Sequence, residues 1–251
     1  MVRPRVRIRY RKEHDLRFLG HHDLLRTWER LLRRADVRPA QTEGFHKRAR
    51  LNFPSALAVG ICGLDEVIEL ELEADQDPAA LAASLDAQAP AGLSIASIER
   101  MPAGARFSQP CAAEYDIRVP DARQPDVAAR LERWRCAEST TEVVEEVATP
   151  TRESTSAAAP SFAAPEAEAS AEDASSAPAG SNVAATVTKP APDRLPATVQ
   201  GVQLVDGALR MRLTLGEAGA VRPRELLAWL DLDDLETSGA LLRRTRVEVS
   251  T

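Results

Sequence analysis

Apolar and charged residues alternate from the start of the chain. Val6, Ile8 and Tyr10 interleave with Arg5, Arg7, Arg9 and Arg11, and this period of two predicts a strand with one buried face. The other face is then an arginine ladder, tolerated only where acidic neighbours, solvent or an anionic ligand take up the charge. From His21 to Ala35 the period changes. Leu24, Leu25, Trp28, Leu31, Leu32 and Ala35 recur at the spacing of a helix packed on a core. Gly20 and the run His21, His22, Asp23 form its start, where an acidic group meets the positive end of the helix dipole. Its polar side carries Arg26, Arg30, Arg33 and Arg34, with Glu29 placed to pair with Arg33.

Further along, a short strand-like step at Val37 to Gln41 leads into the loop TEGFHKRARLNFPSALAVG, punctuated by Gly44, Pro54 and Gly60. EVIELELE, Glu66 to Glu73, is another half-buried strand, and its glutamates are natural partners for the arginines of the first. Asp77-Pro78 opens an alanine-rich helix to Ala89, and Leu93 to Ile98 is a strand. The order strand, helix, strand, strand, helix, strand is the split βαβ pattern. It begins again with Tyr115, Ile117 and Val119 as a strand, Asp126 to Arg135 as a helix and Thr141 to Val147 as a strand. Residues 149–192, rich in Ala, Ser, Thr, Pro and Glu, cannot bury enough surface to offset the entropy of ordering them and are expected to be disordered. The cycle resumes with a hairpin turning at Asp206-Gly207, a helix opened by Arg222-Pro223 and running through Leu230, and a last strand from Arg243 to Val249.

The expected fold is therefore α+β, with two ferredoxin-like (split βαβ) α/β sandwich modules in tandem or fused into one sheet. A basic N-terminal module spans residues 1–104. A second module spans 105–148 and 193–251, and the disordered insertion, 149–192, interrupts it.

Charge divides the chain unevenly. Residues 1–60 hold 15 Lys and Arg against 6 Asp and Glu, a net of +9, while the whole chain is at −6. A basic head on an acidic body implies an anionic partner for the head. Cys62, Cys111 and Cys136 are far apart and odd in number, which argues against a disulfide framework, a structural zinc or a cysteine-held cluster. With neither a signal-peptide pattern nor an apolar run long enough for a membrane span, a cytoplasmic protein without membrane attachment is expected.

The candidate chemistry lies between Leu16 and Gly60. Phe45, Lys47, Arg48 and Arg50 mix an aromatic face, able to stack on unpaired bases, with cations for phosphates, a composition suited to single-stranded or looped RNA; Phe45 and Phe53 equally suit anchoring the loop on a core. His21, His22 and Asp23 are adjacent on a helix and point about 100 degrees apart, so they cannot easily share one ion; His22 with His46 is the better pair, and capping or core hydrogen bonding is the plainer role for His22 and Asp23. Neither a P-loop, a G-x-G-x-x-G nor a nucleophile elbow is present.

The stretches LRFLGHHDLLRTWERLLRRA, TEGFHKRARLNFPSALAVG and EVIELEL resemble the radical SAM-linked domain of unknown function, a bacterial family found alone or fused behind a radical SAM module. The likeness is strong over about residues 4–100 and looser through DRLPATVQGVQLVDGALRMRL and VRPRELLAWL. Two departures stand out: His46-Lys47-Arg48-Ala49 replaces the Asn-Pro-His-Pro that often follows the Gly-Phe pair, and the acidic insertion occupies the place of a basic segment, leaving Asp193 and Arg194 as its remnant. The resemblance implies association with radical SAM chemistry; without a three-cysteine motif, this chain itself is not expected to hold such a cluster.

Two expectations follow. The first is a non-catalytic accessory protein, without a cofactor, that binds RNA or a separate radical SAM enzyme through Arg5, Arg7, Arg9, Arg26, Arg30, Arg33, Phe45, Lys47, Arg48 and Arg50. The alternative is an enzyme acting on RNA or a nucleotide through His22, Asp23 and His46, which requires those side chains to converge.

Overall fold

The computed structural model describes residues 3–43, 47–145 and 192–250. Strand β1 (Arg5–Lys12) buries every second residue as its alternation predicts. A turn of 3-10 helix (His14–Phe18) leads into α1 (His21–Arg34), which buries Leu24, Trp28, Leu31 and Leu32. Each such side chain contributes about 1.5–3 kcal/mol through removal from water. Trp28 stands edge-on to Tyr10, with ring centroids 5.0 Å apart, an arrangement in which the positive edge of one ring meets the negative face of the other. A two-residue strand, β2 (Leu51–Asn52), precedes the long β3 (Cys62–Glu71). The Asp77 carboxylate accepts from the Ala80 backbone N–H at 2.9 Å and Pro78 fills the first position of α2 (Pro78–Gln88), so sequence and capping agree on where that helix begins. Strand β4 (Leu93–Arg100) follows.

The second half repeats this order. Its elements are β5 (Pro110–Arg118), a 3-10 turn (Asp121–Arg123), α3 (Gln124–Glu145), β6 (Val199–Val205), β7 (Ala208–Thr214), α4 (Pro223–Trp229) and β8 (Arg243–Val249). Asp206 and Gly207 join β6 to β7 with φ of 51° and 70°, the double left-handed turn whose twist suits a two-residue hairpin.

All eight strands form one mixed α/β sheet of order β4-β1-β3-β8-β5-β7-β6, with β2 paired on β3. Every neighbouring pair is antiparallel except β3 and β8, which run parallel and join Cys62 to Arg243 and Gly63 to Arg244. Both helices of the first half pack over the Val6, Ile8 and Tyr10 face in one core; α3, α4 and the face of Ala113, Tyr115 and Ile117 form another. Leu57 and Ile61, from the loop before β3, belong to the second core, so that loop binds the halves together.

Three expectations change on contact with the structure. The strand at Thr141 to Val147 is replaced over its described part: Thr141 to Glu145 continue α3. Their β-branched residues favour a strand, but the helical register of the buried Val127, Leu131 and Trp134 runs on with no glycine or proline to stop it. Val37 to Gln41 forms isolated bridges, Pro39 to Leu72 and Gln41 to Ala49, rather than a strand. The insertion at 149–192 lies outside the described residues, apart from Pro192 at its end.

Candidate nucleic-acid interface

The two arginine faces do not adjoin. Because Val6, Ile8 and Tyr10 turn toward α1, the ladder of Arg5, Arg7 and Arg9 lies on the opposite face of the sheet. There the acids of β3 meet it. Arg7 donates through Nε and Nη2 to Glu69 at 3.1 Å, Arg9 pairs with Asp65 at 2.6 Å, and Glu71 receives both Arg5 at 3.6 Å and Arg50 at 3.2 Å. The segment after β4 pads the ladder: the Arg5 guanidinium lies 4.0 Å over the Phe107 ring, and Ser108 donates to Glu69 from its backbone N–H at 2.8 Å and its hydroxyl at 2.6 Å. Glu69 is wholly buried. A buried carboxylate satisfied by a guanidinium, a hydroxyl and an amide holds that guanidinium in place. These strand arginines are neutralised within the protein.

On the helix side the cations are free. Arg26 pairs with Asp23 at 3.4 Å. By contrast, among the described residues none of Arg3, Arg30, Arg33, Arg34, Arg38, Lys47 and Arg48 makes an ion pair. Arg33 and Arg34 instead point a bond at the main-chain carbonyls of Glu29 and Gln88, and their place in the last turn of α1 complements the helix dipole. Three depressions connect here. The first, of about 630 Å³, has Leu16, Leu19 and Pro90 as its apolar floor and Arg30, Arg33 and Arg34 on one wall. Arg33 also lines the second, of about 380 Å³, with Arg38, Lys47 and Arg48. Lys47, Gln41 and Glu73 are shared with the third, of about 420 Å³, where Arg3 stands. The result is one furrow along the flank of α1 and the following loop. Glu29, Glu43 and Glu73 interrupt its positive lining.

Arg3, Arg34 and Arg38 join the residues expected from sequence. Helical spacing carried past the end of α1, from Arg30 to Arg34 to Arg38, is the signal that reaches the last two. Phe45 and His46 lie outside the described residues. Phe53 packs partly against the first core and meets His21 edge-on at 5.4 Å. His22 and Asp23 are exposed on the first turn of α1; the cap position belongs to Gly20, with no side-chain cap bond, so neither residue caps the helix or bonds in the core. Among the described residues no three His, Cys, Asp or Glu side chains gather as a metal site.

Behind the furrow lies a buried polar cluster. Lys12, 1% exposed, donates to the Leu19 carbonyl at 2.8 Å and so fixes the floor of the first depression. Burial lowers its pKa from the ordinary lysine range, with Glu66 opposing and Arg244 adding to the shift. Glu66 is held in turn by Arg244, through Nε to Oε1 at 2.7 Å and Nη2 to Oε2, while Arg244 also donates to the Ser55 hydroxyl at 2.9 Å and to Tyr115. Burial raises the pKa of Tyr10, Tyr115 and the Cys62 thiol alike.

Residues 5–156 match a family described as "Uncharacterized protein conserved in bacteria (DUF2344)". The match takes in more than half of the chain, from β1 through α3, and stops before β6. No curated protein matches.

Proposed function

This chain belongs to the DUF2344 family of uncharacterized proteins conserved in bacteria, and from that premise we propose that it is a non-catalytic accessory protein that binds RNA along the furrow beside α1. One contrast carries the reading. The arginines of β1 have acidic partners, whereas those lining the furrow have none, so the furrow's charge is left for an external anion. A row of guanidiniums and an ammonium above an apolar floor suits a flexible single strand, with phosphates on the cations and bases over Leu16, Leu19 and Pro90. The family resemblance drawn from LRFLGHHDLLRTWERLLRRA and its companion motifs supports a further role beside a separate radical SAM enzyme. In the same reading, the orders β4-β1-β3-β2 and β8-β5-β7-β6 are two ferredoxin-like modules in tandem, fused along β3 and β8.

Anisotropy of a labelled single-stranded RNA tests the binding. Affinity should fall with salt at a log–log slope of roughly −4 if about six phosphates are neutralised. Reversing Arg30, Arg33 and Arg34 together to Glu should weaken binding about 100-fold or more at fixed salt, while Arg210→Glu, on β7, should leave it unchanged. Equal affinity for the triple variant and the native chain would remove the reading.

A further inference from the structure

The sheet has two free edges, and they are built differently. At β4, the Asp86 carboxylate accepts from the Ile95 backbone N–H at 3.2 Å, and Glu99 and Arg100 end the strand, with Arg100 bonded to Asp75 at 3.2 Å. Such charges and side-chain caps keep other strands from adding to an edge. At β6, the sequence VQGVQLV has neither charge nor proline. The strand pairs only with β7. From the two-residue turn, Val205 and Gln203 face β7 with their backbone bonds, as the alternation of an antiparallel ladder requires. Val202 and Leu204 therefore turn N–H and C=O outward, and among the described residues no hydrogen bond reaches them.

We propose that β6 is a self-association edge: a second copy of this chain adds its own β6 antiparallel, making one continuous sheet across a two-fold axis. Two observations select a second copy. An antiparallel pair centred on Val202 brings the same uncharged patch from both chains into register, which is the self-complementarity a two-fold interface needs. The same register carries each Asp206 toward the turn holding Arg194 in the other copy; both are exposed and neither has an ion pair among the described residues, whereas Asp193 beside Arg194 moderates the attraction. The inference is independent of RNA binding, since the furrow lies at the other end of the sheet.

Sedimentation velocity across a concentration series tests it on the full chain. The native protein should shift from one-chain to two-chain mass as concentration rises. Gln203, exposed and diagonal to its counterpart across the axis, supplies variants that leave the fold alone: Gln203→Glu and Gln203→Lys should each weaken association at least tenfold, and mixing them should restore it. Val202→Pro, which deletes an outward N–H, should abolish it with the thermal melt retained; the charge pair decides the matter if that variant fails to fold. One-chain mass throughout, or association indifferent to all three substitutions, overturns the proposal. So does a native monomer that dimerises on deletion of residues 149–192, because the edge would then be occupied by the chain's own preceding segment.

Discussion

Arg244 and Glu66 are 1% and 2% exposed, and each is the other's charge partner. Burying two ions costs several kcal/mol that their mutual attraction and the added bonds to Ser55 and Tyr115 must offset, so loss of one partner strands the other. Arg244→Met should therefore destabilise the protein by about 3–5 kcal/mol in urea unfolding, and adding Glu66→Gln should recover part of the loss. Gly63 belongs to the same arrangement. A β-carbon there would stand 2.4 Å from the Glu66 side chain, so the glycine makes room for the carboxylate. The two tyrosines of the chain, Tyr10 and Tyr115, share this interior. Their raised pKa means the folded state keeps the phenol protons that the unfolded chain releases near pH 10. The stability they contribute is whole below that pH and is lost as pH rises through the folded values. Lys12 has the opposite sign: its lowered pKa makes the unfolded chain the better proton acceptor, so its penalty eases as pH rises toward 10.5. In an alkaline titration, phenolate absorbance should appear late and together with unfolding; ionisation of both phenols in the folded protein near pH 10 would contradict this. None of the cluster is legible in the sequence. Glu66 sits in an alternating run that looks like surface, and its partner is 178 residues away.

At the scale of elements, pattern was a reliable guide wherever one physical signal acted alone. β1, α1 and the β6–β7 hairpin follow from periodicity and turn chemistry, and α2 from its cap. The Asp77 cap should be worth about 1 kcal/mol; Asp77→Ala should lower the unfolding midpoint by that amount without altering RNA binding, since α2 contributes no cation to the furrow. At Thr141 two signals competed, and the helix already under way prevailed over β-branching. The arginines of β1 and α1 were legible as two charged faces. Which side of the sheet each would occupy was not, because alternation fixes that faces differ but not what covers them. The decisive acids, Asp65, Glu69 and Glu71, lie on a strand that joins β1 only in the tertiary fold.

Across the whole molecule, repetition of the element order was visible in sequence, while the junction was not. The halves meet through a short parallel pairing of β3 with β8 and through Leu57 and Ile61, which leave the first half to pack in the core of the second. The outer edge of β3 is divided: β2 takes its end and β8 its beginning. The family match ends before β6, so the strand that completes this junction lies beyond it.

That junction has a temporal side. During synthesis Glu66 leaves the ribosome 178 residues ahead of Arg244, so the growing chain carries an unmatched carboxylate and an open β3 edge through most of translation. A group that cannot be buried alone holds the first half in a hydrated, unfinished state. The final strand to be made is the one that seals it, which ties maturation of the N-terminal half to completion of the C-terminus.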